Sequence, residues 1–453
     1  MRAVFLIFIP ASLAMAQGTV STSPAPQNAP QQNVMQLSLK RAVEIALTPE
    51  GSPRVALATE SVKQAQEQAR EAKSAFLPTV DGQIREISET VNLKTFGINF
   101  PSVPGFIIPS FVGPFDVFDA RVSAQQSIFS FSDIRKYQAS RAAAAASASD
   151  LGTTRNQVSD QVARAYLACL RADAALETAQ ANVDLSNALL KLSNQEKDAG
   201  TGTGIEVTRA QVQLANDRQH LIVADNDRRK AVLQLLRAMG LTLDSDVVFS
   251  DKLAFTAVDV ATLESSLTEA RKQRTELQAQ QQHEKVALLN YGSVSAERLP
   301  SASAFGDYGP TGLAPDSSRA TREVGISVKV PIFDGFRRDA RREESLSEYR
   351  QEKTRTRDLE QQIELDVRLA LDSFRSAKAE VQTAEEGLAL AQNEVAQAQR
   401  RYQAGVTNSI EVTDAQTRLD RARENRIAAL YDYNLARIDL ATATGTITEF
   451  VNQ

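Results

Sequence analysis

The phrase AGTGTGIEVTRAQ, Ala199 to Gln211, returns as AGVTNSIEVTDAQ, Ala404 to Gln416, every matching residue displaced by 205 positions (404 − 199). Gly240 and Gly445 keep that displacement long after the phrase has ended. Self-similarity at a fixed offset marks a duplicated architecture, so both halves must fold on one plan. That plan is a long helical hairpin.

The hairpins follow from periodicity. From Ile363 the apolar residues step by four and three through Val367, Ala370, Phe374, Ala377, Val381, Ala384, Leu388, Ala391, Val395, Ala398 and Tyr402. This is a heptad seam in which a larger residue alternates with Ala. The same offset lands on Val162, Ala165, Cys169, Ala172, Leu176, Ala179, Val183, Ser186, Leu190 and Ser193, with the same alternation. A small residue at every second seam position lets neighbouring backbones approach closely. The partner helix continues the seam through Val412, Ala415, Leu419, Ala422, Ala429, Tyr433, Ala436, Leu440 and Ala443, interrupted at Arg426. Residues 337 to 403 hold no Pro and one Gly, Gly387, so the helix there reaches roughly 100 Å at 1.5 Å per residue. The two repeated phrases are then the hairpin tips.

Composition removes several function classes. With 42% hydrophobic residues the 453-residue chain suits a large folded protein. The pI of about 5.5 and the lack of a basic block exclude nucleic acid as a partner. Cys169 is the only cysteine and His220 and His283 the only histidines, so no internal disulfide forms, and neither a Cys/His metal site nor any other cofactor is expected. GTGTG, 200 to 204, has no preceding strand and no following Lys, which excludes a phosphate loop. MRAVFLIFIPASLAMAQ reads as a secretory signal peptide over 1–16, with cleavage before Gln17. A Pro/Gln-rich lead-in follows over 17–36, and no later segment has the length and apolarity of a transmembrane helix.

Between the helices lie alternating stretches. VFDARVSAQQSIF (117 to 129) puts Phe118, Ala120, Val122, Ala124 and Ile128 on one face; REVGISVKVPIF (322 to 333) does the same with Val324, Ile326, Val328, Val330 and Ile332. Apolar-against-polar alternation of this length is the signature of a membrane β-strand. Less regular partners are expected near 79 to 92 and 300 to 309, with the Phe/Pro/Gly-rich stretch 96 to 115 as a loop. The resulting organisation is a first repeat over 37–240 (strands about 78–130, hairpin about 135–240) and a linking segment over 241–262. A second repeat covers 263–445 (strands about 299–334, hairpin about 337–445), and a tail covers 446–453. Four strands cannot close in lipid, because unpaired N–H and C=O groups there cost several kcal/mol each. The smallest barrels have about eight strands, so two or three copies must assemble.

The duplicated plan resembles the TolC-like outer-membrane efflux proteins. FLPTV and RLPSA open the strand segments, SIFSFS and PIFDGF close them, and YQAGVTNSIEVTDAQ forms the second tip. The resemblance covers the whole mature chain. It implies a mainly α fold with a membrane β-barrel: a homotrimer whose 12-stranded barrel continues into a 12-helix tunnel, girdled by a belt. Such a channel-tunnel sits in outer-membrane lipid with a long periplasmic extension. It passively conducts small molecules or secreted proteins delivered by an inner-membrane pump and a periplasmic adaptor, and it is not an enzyme. The family pattern assigns Tyr402, Glu411 and Asp414 to a periplasmic gate, with Glu206 as the matching acid of the first tip. Thr407 stands where the family has a basic residue, which removes one expected salt bridge. Gly200 and Gly405 match the tip glycines that adaptors grip.

Each of these residues also has a plain structural account. Acids in the first turn of a helix are favoured by the macrodipole, and Tyr402 and Cys169 fall on the seam as core. The heptads alone would also suit a soluble periplasmic coiled-coil scaffold or adaptor. A scaffold has no reason to present Val324, Ile326, Val328, Val330 and Ile332 to solvent.

Overall fold

A computed structural model describes residues 35–48, 50–97, 110–258 and 262–452. The signal peptide, most of the lead-in and the middle of the 96 to 115 stretch lie outside the described residues. In the first half β1 (Met35–Leu37), α1 (Leu39–Ala46) and α2 (Pro53–Ser74) precede β2 (Thr79–Asn92) and β3 (Phe111–Phe129), and α3 (Phe131–Asp198) turns back into α4 (Gly204–Ala238). After β4 (Val247–Phe249) the plan repeats with α5 (Leu263–Gln273), α6 (Thr275–Ala296), β5 (Ser301–Gly312), β6 (Arg319–Lys329), α7 (Arg337–Gln403) and α8 (Ser409–Thr444). A short α9 (Ile447–Asn452) ends the chain.

The seam residues fill the hairpin interiors. Ile363, Val367, Phe374, Val381, Val395 and Tyr402 of α7 are buried, as are Val412, Leu419 and Tyr433 of α8. Arg426, the interruption, turns outward to Glu385 at 4.0 Å. Cys169 is fully buried, and burial pushes its thiol up to about 12, so it packs as a small apolar residue rather than reacting.

Two features went unread in the sequence. The counterpart of α1 and α2 in the second half is itself broken, at Arg274, whose extended backbone separates α5 from α6. The linking segment also carries β4, which pairs in parallel with β1 at the chain's beginning. Tyr166 of α3 fastens that strand pair: its hydroxyl lies 3.0 Å from the Leu37 carbonyl and 2.7 Å from the Asp251 carboxylate.

The conserved offset of Gly240 and Gly445 now has a cause. Both end a helix in the left-handed region, with φ of 69° and 80°. Each then touches the break in its own repeat's leading helices. A Cβ on Gly240 would sit 1.8 Å from the Gly51 carbonyl oxygen, and one on Gly445 would sit 2.8 Å from the Arg274 nitrogen. Gly240→Ala must therefore take a conformation costing about 1–3 kcal/mol and also displace the turn at Gly51. It is expected to lower the melting temperature clearly. Gly387→Ala, in open space on α7, should raise stability by about 1 kcal/mol through helix propensity. Thermal denaturation of the two variants checks both signs.

The sheet runs β2-β3-β5-β6, antiparallel throughout, leaving β2 and β6 as edges. Its register sorts the side chains by parity. Val80 and Ala124, Val122 and Tyr308, Ala304 and Ile326, and Ala302 and Val328 are opposed on one face. Asp81 and Ser123, Arg85 and Asp119, Asp307 and Glu323, and Ser303 and Ser327 are opposed on the other. On that polar face Arg121 binds Asp119 at 2.7 Å and Asp307 at 3.3 Å. On the apolar face Val80, Ile84, Val122, Val324, Ile326 and Val328 are each more than half exposed. The last ladder pair is Ser301 with Lys329. Pro331 has no N–H to donate, so the ladder stops there, and Val330 and Ile332, expected on the strand, lie exposed beyond it.

Candidate functional site at the hairpin tips

Both tips turn by the same device. At the end of α3 the Gly200 N–H donates to the Lys197 carbonyl at 3.0 Å and the Thr201 N–H to the Glu196 carbonyl at 3.0 Å. At the end of α7 the Gly405 N–H donates to Tyr402 at 2.9 Å and the Val406 N–H to Arg401 at 3.0 Å. This is the Schellman closure, which needs a left-handed residue at its centre. Gly200 and Gly405 supply it with φ of 76° and 68°. A Cβ at either would meet nothing within 4 Å, so backbone conformation, not crowding, selects glycine here.

The acids then divide into three situations. Glu206 accepts from its own N-cap: the Thr203 N–H donates to its carboxylate at 2.9 Å and the Thr203 hydroxyl at 3.2 Å. Within the chain it therefore serves as the return half of a capping box, and no bond joins it to Tyr402. Glu411 is gripped from two sides. The Thr407 hydroxyl donates a short hydrogen bond to one oxygen, and the Arg401 guanidinium lies 3.1 Å from the other. Asp414, one turn further along α8, is exposed and makes no ion pair among the described residues.

Tyr402 is buried, with its ring in the apolar cluster of Leu189, Val395, Ala398, Val412 and Leu419. Its hydroxyl closes no hydrogen bond of normal geometry among the described residues. Burial, reinforced by nearby Glu196, pushes its pKa up to about 12, so it stays a neutral donor at any physiological pH. Ser193 beside it is likewise buried without a partner among the described residues.

Sequence reasoning missed Arg401. The bridge it expected to be lost joins Glu206 to position 407 of a neighbouring hairpin; within the chain Thr407 donates to Glu411, which also meets a cation supplied by the preceding helix. The only sequence signal is a basic residue in the last turn of α7, which reads first as a helix-dipole partner.

With this geometry in place, comparison with known proteins is specific. The family model described as outer membrane efflux protein matches residues 45–241 and 266–446. Outer membrane protein TolC of Vibrio cholerae is 23% identical over 344 residues, 74% of this chain and 78% of that protein. The alkaline protease secretion protein AprF of Pseudomonas aeruginosa is 23% identical over 351 residues, 74% of this chain and 71% of that one. Among solved structures, VceC of Vibrio cholerae superposes with a TM-score of 0.75 at 18% identity, over 90% of this chain and 96% of the other. The MtrE channel of Neisseria gonorrhoeae, in its open state, gives 0.75 at 17% identity, over 90% and 88%.

Proposed function

Because the chain belongs to the outer membrane efflux protein family, we propose that three copies form one passive duct from the periplasm, through the outer membrane, to the exterior. The observation that carries this reading is the four-stranded sheet with one apolar, exposed face and two open edges, β2 and β6. In lipid such edges must pair. Joining β6 of one chain to β2 of the next satisfies them, and three copies give about twelve strands, an even number inside the range that single membrane barrels span. The polar face then lines the lumen. A soluble scaffold would leave that apolar face in water with nothing gained.

The hairpins continue the duct into the periplasm, and their tips form the gate. Glu411 and Asp414 from three chains make a ring of six carboxylates at the narrow end, which draws cations. Tyr402 sits at the same level with its neutral hydroxyl buried beside Ser193 and Glu196 of the chain's other hairpin, where it ties the two tips together. The tip turns at Gly200 and Gly405 are what an adaptor holds, and the cargo is whatever small molecule or secreted protein its pump delivers.

Single-channel recording from purified protein in a planar bilayer tests the duct. Discrete, cation-preferring current steps are expected. Protein that inserts but never conducts, even in variants with loosened tips, overturns the conducting role. Protein that cannot insert overturns the barrel and restores the scaffold.

A further inference from the structure

A cavity of about 380 Å³ opens in the belt where α3, α8 and α9 meet the segment after β4. Arg437, on its wall, lies 28 residues beyond the start of α8 (437 − 409), about 40 Å along the helix. It takes no part in the tip chemistry. Leu167, Leu170 and Ile438 make an apolar wall.

Arg437 is the unusual group. Its half-buried guanidinium stands over the Phe450 ring at 5.1 Å and donates to Asn434 at 3.3 Å. Among the described residues no carboxylate lies within ion-pair distance of it. Two other half-buried arginines show the ordinary arrangement. Arg164 holds Asp160 at 2.9 Å and also Asp439. Arg274 holds Glu276 at 2.6 Å and Asp366 at 2.9 Å. Burial lowers the pKa of all three, but at Arg164 and Arg274 the acids outweigh it and the net shift is upward. At Arg437 burial prevails and the net shift is downward. The remaining charges at the cavity do not correct this. Lys40 and Lys252 stand exposed on its wall. Asp251, the one acid among the described lining residues, is already taken by the Leu39 N–H at 3.0 Å and the Tyr166 hydroxyl at 2.7 Å.

We propose that this cavity binds a small amphipathic anion, its carboxylate or phosphate head on Arg437 and its apolar body against Leu167, Leu170 and Ile438. The volume falls in the range of small-molecule sites, which pair apolar walls with a few placed polar groups. A planar guanidinium is the side chain suited to two-point recognition of such heads. Lys40 and Lys252 add attraction at the mouth. The cavity lies 36 residues along α3 from the sheet (167 − 131), about 50 Å, so the head belongs to a free amphiphile and not to a bilayer lipid.

The test is calorimetric titration of decanoate into the full-length protein in nanodiscs of zwitterionic lipid. One saturable site per chain is expected, with decanol and decyltrimethylammonium bound at least tenfold more weakly. Arg437→Gln should weaken decanoate binding at least tenfold, while Arg368→Gln, an exposed arginine on α7 paired with Glu364, should not. If Arg437→Gln fails to fold, the paired Lys40→Glu and Lys252→Glu change, confined to exposed side chains, should still weaken decanoate severalfold and leave decanol unaffected. Phosphatidylglycerol in the nanodisc should leave decanoate binding undiminished; if it abolishes that binding, the assignment to a free amphiphile is overturned. Absence of binding to the unaltered protein overturns the proposal. So does equal affinity for the cationic amphiphile, or indifference to both sets of substitutions.

Discussion

Ile326→Arg is expected to remove the protein from the outer membrane, whereas Ser327→Arg, one residue along the same strand, should leave it inserted. Ile326 opposes Ala304 on the face that carries Val324, Val328, Val80 and Val122. Ser327 opposes Ser303 on the face of Asp307, Glu323 and Arg121. An arginine facing lipid near the bilayer midplane costs about 2–4 kcal/mol. Three chains triple it to roughly 6–12 kcal/mol per trimer, as large as the whole stability of many domains. An arginine facing a water-filled lumen pays none of this and meets nearby acids. Membrane fractionation with gel mobility of the unheated trimer reads the outcome. Equal membrane levels for both variants would remove the lipid-facing assignment and with it the barrel.

That the two faces can be named so sharply reflects how the information is stored. Alternation along β6 and heptads along α7 are local patterns, written by adjacent residues, and both were readable in the chain. The pairing of β1 with β4 was not readable. Three-residue strands carry too few positions to show a period, and their partners lie about two hundred residues apart (247 − 35). The break at Arg274 was hidden for another reason. No Gly or Pro marks it, and the contact that accompanies it, Gly445 against that backbone, is tertiary.

The tips show the same limit at side-chain scale. Tyr402, Glu411 and Asp414 were reachable from the pattern of the second tip. The Arg401–Glu411–Thr407 arrangement depends on where the α7 end places a guanidinium after the turn, and nothing in the spacing alone reports that. Arg437 was invisible too. A missing counter-charge is a property of surroundings that only packing creates.

The Arg401 contact changes what each acid of the proposed gate should do. Glu411 is balanced by Arg401 at 3.1 Å, while Asp414 stands without a partner among the described residues. The net charge that these three side chains contribute per chain is then one negative unit, and Asp414→Asn removes it. At about 8 Å from an ion in water one charge is worth about 0.5 kcal/mol. Three chains together supply about 1.5 kcal/mol, favouring a cation and opposing an anion alike, so the cation-to-anion permeability ratio should fall roughly a hundredfold at low salt, where screening is weak. Arg401→Gln should act with opposite sign and sharpen cation preference. Glu411→Gln shifts charge by as much as Asp414→Asn but also releases Arg401 and Thr407. It should therefore raise open probability as well, while Asp414→Asn leaves open probability unchanged. Reversal potentials and open times in a salt gradient separate these outcomes. If Asp414→Asn and Arg401→Gln move the reversal potential in the same direction, charge at this tip does not govern what enters the tunnel.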